Sequence, residues 1–152
     1  METNTNINEN SLEEFVAQKQ KEWNEIIKNL NDKFKSIPEL QKMMNEVYTV
    51  RQNCQDVYRS MLTKCAKLSR EYKKEYARLY NEHLVSSQIR YKSEAAINAQ
   101  IAAQMADFKY TMDIMESYTN YLAETMKTID NIIYGINNRL RLEEFIHVGA
   151  LK

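Results

Sequence analysis

Two groups of residues in this 152-residue chain have the type and spacing to do chemistry: a run of cations in its middle and one carboxylate and imidazole pair near its end. Residues 59–92 hold nine bases against three acids, while 1–58 hold seven against ten and 93–152 five against eight. A protein whose 21 bases and 21 acids cancel therefore carries segment charges of −3, +6 and −3. The cations are Arg59, Lys64, Lys67, Arg70, Lys73, Lys74 and Arg78, continued by Arg90 and Lys92, with Tyr76, Tyr80 and Tyr91 among them. Cations in a row neutralise phosphates and release their counterions. Aromatic faces beside them accept any base, which points to single-stranded nucleic acid.

The second group is weaker. Glu144 and His147 have the Glu-x-x-His spacing of di-iron bundles, but such sites need a second copy and two further carboxylates, and no second copy occurs. No Ser-His-Asp order, P-loop or zinc-protease motif is present, and two glycines leave little from which to build a nucleotide cradle. No enzyme, metal or cofactor is expected. Cys54 and Cys65 stand eleven residues apart, which on a helix is about 16 Å along one face, too far for a disulfide. They read as small core residues.

The elements that must position the cations are helices. Average usage would supply roughly 7% glycine and 5% proline; two glycines and one proline leave sheets and tight turns without their punctuation. Residues 1–10 read as a disordered arm, because they offer little to bury. Ser11 and Glu14 form a capping-box pattern, and Leu12, Phe15, Val16, Trp23, Ile26, Ile27, Leu30 and Phe34 then recur at helical spacing up to about Ser36. Pro38 separates this helix from a second one of about 45 residues, with a bend expected near Ser86 and Ser87.

The third helix has the most regular pattern. Ile101, Phe108, Met115, Leu122, Ile129 and Ile136 repeat every seven residues, interleaved with Met105, Met112, Thr119, Met126, Ile133 and Leu140. Such paired series wind helices together in a left-handed sense. Helices of about 45 residues would span nearly 70 Å, against a radius of gyration near 15 Å for a compact monomer of this size. The seam, Thr119 excepted, is therefore expected to join copies of the chain. The fold expected is all-α: long antiparallel helices, a coiled-coil-like hairpin, assembling into a homo-oligomer. One structural domain would comprise the arm, basic N-terminal helices over 11–92 and an oligomerising helix over 93–152.

At about 100° per residue, with Lys67 at zero, the core positions Met61, Cys65, Leu68, Tyr72 and Leu79 fall between about 100° and 160°. The seven cations fall on the arc from about 240° through zero to 60°, with Glu71 and Glu75 at its edge. An ordinary solvated face intersperses the two signs in pairs four apart, whereas this arc is mostly positive. No stretch is apolar enough to cross a membrane, and Met1 to Asn10 lacks the regions of a signal peptide, so a cytoplasmic protein is expected.

Three stretches resemble the UvsY family of phage recombination mediators. They are Val57 to Lys64 followed by the basic run, Arg90-Tyr91-Lys92-Ser93-Glu94, and the ending Phe145-Ile146-His147-Val148-Gly149-Ala150 after a long helix. The similarity covers roughly residues 45 to 150. It implies a ring-forming homo-oligomer that binds single-stranded DNA, helps displace the single-strand-binding protein and loads a RecA-like recombinase from the host-cell cytoplasm. The family's Lys-Ala-Arg-Leu motif, implicated in DNA binding, corresponds to Tyr76-Ala77-Arg78-Leu79, so the resemblance carries Arg78 over but not the lysine. The family's flexible glycine- and aspartate-rich loop and any counterpart of the first 35 residues are missing. A structural coiled-coil adaptor or chaperone for an acidic protein is the alternative.

Overall fold

The computed structural model describes residues 9–32, 37–85 and 93–149. These form four helices, α1 (Glu9–Asp32), α2 (Ile37–Val85), α3 (Glu94–Gln104) and α4 (Ala106–Gly149). The fold of the described residues is all-α, as expected, and none of their helices is long and apolar enough to cross a membrane. Ser11 lies inside α1, so the helix starts before the capping box that was expected to open it. The Ser86 bend falls outside the described residues.

The expected third helix is two helices. At Met105 the backbone leaves the helical region (φ −102°, ψ 9°). The ladder nevertheless bridges the break, because the Met105 amide donates to the Ile101 carbonyl and the Lys109 amide to that of Met105, each at 2.9 Å. Upstream, the Ser93 side chain accepts from the Ala96 amide and caps α3, satisfying one of the donors that a helix start leaves open.

The chain divides into two compact units, one of residues 1–59 with 119–152 and one of 60–118. In the first, Val16, Trp23 and Leu30 of α1, Leu40, Met43, Val47 and Cys54 of α2, and Leu122, Ile129, Ile132 and Ile136 of α4 are all buried. Trp23 and Leu30 follow Val16 at successive steps of seven, the spacing that returns a side chain to one helix face. Polar contacts fix the register. Arg51 of α2 grips Asp130 of α4 through Nε at 3.0 Å and Nη2 at 3.5 Å. The Tyr121 hydroxyl of α4 lies 3.0 Å from both the Gln20 carbonyl and Asn24 Oδ1 of α1. The Cys54 thiol faces the Leu122 carbonyl at 3.8 Å. Pairing 51 with 130 and 54 with 122 makes α2 and α4 antiparallel here.

The second unit is built on Ile97, Ile101 and Met105, against which Tyr72, Tyr76, Leu79 and Tyr80 of α2 pack. The Tyr72 ring meets Phe108 edge-on at 5.7 Å, an arrangement that suits the quadrupoles of both rings. Met61, Met115 and Tyr118 are buried as well.

The seam thus closes largely within one chain. Ile101, Met105, Met115, Leu122, Ile129 and Ile136, expected between copies, are 8% exposed or less in the single subunit, and Phe108, Met112, Met126, Ile133 and Leu140 are half-buried. The physical reason in the first unit is α1, whose Trp23 face covers apolar surface that two helices alone would leave open. Thr119, the polar interruption, is buried too.

Candidate nucleic-acid interface

All seven cations expected to bind nucleic acid on α2 are exposed. Arg59 is the last residue of the first unit's portion of α2, and Lys64 to Arg78 belong to the second. Arg90, Tyr91 and Lys92 fall outside the described residues.

Within the second unit the cations form two sets. Lys74 Nζ bonds Glu71 Oε1 at 3.0 Å. Arg78 is held from both sides, by Glu75 through Nε at 2.9 Å and through Nη2, and by Glu82 through Nη1. The hydrogen bond from Arg78 pulls the Glu75 carboxyl below its usual range, and the same bond pushes the guanidinium's pKa upward. The arc was expected to lack such pairs. Glu71 and Glu75, placed at its edge by helical phase, reach inward because residues three and four apart on a helix are neighbours at about 5–6 Å between Cβ atoms.

Lys64, Lys67, Arg70 and Lys73 remain. None of the four has an ion-pair partner among the described residues. They follow one another at every third position, a ridge that runs obliquely across the helix and rises about 4.5 Å per step. Four cations at that spacing cover about 14 Å of helix axis.

The tyrosines lie elsewhere. Tyr76 and Tyr80 were expected to border the cations as stacking platforms, but both pack against the Ile97, Ile101 and Met105 cluster. Their rings stack on each other at 6.4 Å and 14°, and the Tyr76 hydroxyl donates to Asn98 Oδ1 at 2.8 Å. A ring engaged on its face and its hydroxyl has little left for a base. The cause is α3, which presents apolar side chains on the flank of α2 towards which the four-residue step of Tyr72, Tyr76 and Tyr80 drifts.

No family model, curated protein or solved structure matches this chain. Function therefore rests on the residues themselves.

The other candidates carry less. Among the described residues no group of three or more His, Cys, Asp or Glu side chains is placed to hold a metal ion, and Glu144 is exposed. The side chain of His147 lies outside the described residues. Cys54 and Cys65 are not joined in a disulfide, and burial pushes the Cys54 thiol up to about 11, opposed by the nearby charge of Arg51. At neutral pH that thiol is protonated and a poor nucleophile.

The heptad pattern does not account for the end of α4. Tyr134, Leu142, Phe145 and Ile146 are exposed by 68%, 59%, 78% and 52%. Taking Ile136 as the centre of the buried face, Tyr134, Leu142 and Phe145 point at least about 120° away from it. These residues are out of phase with the heptads, and that mismatch is the signal by which they could have been found in the sequence.

Proposed function

We propose that this protein is a non-catalytic recombination mediator that binds single-stranded DNA, helps displace a single-strand-binding protein and loads a RecA-like recombinase. The observation that carries the reading is the ridge of Lys64, Lys67, Arg70 and Lys73, four exposed cations without ion-pair partners among the described residues, in a protein whose total charge is zero. The resemblance to UvsY-type mediators supplies the biological setting, the host-cell cytoplasm. With Tyr76 and Tyr80 packed inward, contact along α2 runs through phosphates rather than bases stacked on these two rings, so strands of any sequence bind alike.

Several copies act together in this proposal, since tethering weak sites raises their effective concentration. The heptad seam is occupied within each chain, and in this proposal the exposed apolar side chains towards the end of α4, Tyr134, Leu142, Phe145 and Ile146, join copies into a ring. A large exposed apolar patch on a helix is a common mark of an interface.

The adaptor reading keeps one observation in its favour: an acidic protein partner needs no stacking surface, and the described tyrosines next to the strip, Tyr76 and Tyr80, are packed against the Ile97 cluster. Sedimentation velocity of the protein with a labelled 30-nucleotide strand, and in parallel with labelled polyglutamate, at 0.05 and 0.15 M salt, separates the two. The mediator reading expects a multi-copy species that carries the strand at both salt concentrations and releases polyglutamate at the higher one. A monomer, or equal retention of polyglutamate, contradicts it.

A further inference from the structure

We infer that Glu75 and Glu82 hold Arg78 in reserve and so set where the nucleic-acid strip ends, an inference that rests on the nucleic-acid reading above. A guanidinium is the side chain best shaped to grip a phosphate, through paired N–H groups in a fixed fork. Arg78 is the last Lys or Arg of α2, yet each of its three nitrogens already donates to a carboxylate, Nε and Nη2 to Glu75 and Nη1 to Glu82.

Two carboxylates around one guanidinium leave the cluster with a net charge of −1. An approaching phosphate meets repulsion, and it gains the Nε and Nη2 fork of Arg78 only by displacing Glu75, a carboxylate of nearly the same geometry. Lys74 differs, because among the described residues its ammonium has one carboxylate partner, Glu71, so that pair is neutral where the Arg78 cluster is negative. The strip therefore runs from Lys64 to Lys73 with Lys74 in partial support, and it stops one turn short of Arg78. A strand laid along α2 leaves the helix there unless Glu75 and Glu82 let go.

The clamp is a product of local spacing. Glu75 sits three residues before Arg78 and Glu82 four after it, so both reach the guanidinium from the same helix. Nothing outside α2 is needed to form it or to release it.

The test is the Glu75→Gln, Glu82→Gln double variant, which removes both charges while keeping side-chain size and helix propensity, with circular dichroism to confirm the helix. Fluorescence anisotropy with a labelled 30-nucleotide deoxythymidine strand at 0.1 M salt reads the affinity. One additional phosphate contact is worth about 0.7 in the salt slope of a single strand, which is about fivefold at 0.1 M. The variant is expected to bind about fivefold more tightly with a slope steeper by about 0.7, and adding Arg78→Ala is expected to abolish the gain. An unchanged affinity, or a gain that survives Arg78→Ala, overturns the reserve role while leaving the nucleic-acid reading intact. Absence of binding by wild type and variant alike overturns both.

Discussion

Replacing Lys64, Lys67, Arg70 and Lys73 together with alanine lowers the affinity for a labelled single strand by nearly three decades at 0.1 M salt. The magnitude follows from counterion release: each phosphate neutralised on a single strand contributes about 0.7 to the dependence of log K on log salt, so four contribute about 2.8 decades between 1 M and 0.1 M. All four side chains are exposed and none has an ion-pair partner among the described residues, so alanine breaks no such pair. Alanine also has the highest helix propensity, which keeps α2 intact. The matched control removes Lys109 and Lys127, whose charges are bound to Asp113 and Glu124 at 2.7 Å each. It is expected to change affinity by less than about threefold, since cations already paired release few counterions. Anisotropy on the two variants, with circular dichroism alongside, checks this, and equal losses in both would show that the ridge has no special role.

The second large effect concerns the seam. Leu122→Ala is expected to destabilise the subunit by about 2 to 5 kcal/mol, the usual range for removing a fully buried leucine side chain. Leu122 is 0% exposed in the single chain, and its carbonyl faces the Cys54 thiol. Because the loss lies inside one subunit, the drop in melting temperature stays the same as protein concentration is varied. Leu142→Glu with Phe145→Glu behaves in the opposite way. It places charge where α4 is exposed, leaves the fold intact, and lowers the sedimenting mass. Calorimetry and sedimentation on both variants check the pair of outcomes. A Leu122→Ala protein that stays folded but falls apart into single chains would return the seam to the space between copies.

These contrasts mark what periodicity conveys. The spacing of Ile101, Leu122, Ile129 and Ile136 identifies an apolar face, and all four are buried. Spacing says nothing of what covers that face. In the first unit the cover includes α1, whose Trp23 side is apolar at the same sevenfold step, so a seam that looked intermolecular closes in one chain. Pro38 was legible as marking the start of α2, where it stands in the first turn and its missing N–H costs no hydrogen bond, although Ile37 ahead of it is already helical. The interruption at Met105 was not, since Ala102, Ala103, Gln104 and Ala106 around it are neither glycine nor proline.

The site was legible in half. Helical phase places Lys64, Lys67, Arg70 and Lys73 on an exposed arc, where the structure has them. Phase treats side chains as points, however, and Glu71, Glu75 and Glu82 are long enough to reach Lys74 and Arg78 from the arc's edge. Tyr76 and Tyr80 show the same weakness in reverse. Their angular drift carries them towards the cations only if no other element stands on that flank, and α3 does.

The salt dependence of strand binding by the wild-type protein tests the central claim most directly. Log K for a labelled single strand, measured from 0.05 to 0.3 M salt, is predicted to fall with a slope of about −2.8 for each subunit engaged, the value for four phosphates neutralised. A slope near zero, or no binding in this range, would contradict the account, because it would mean that the ridge on α2 is a solvated face and no more.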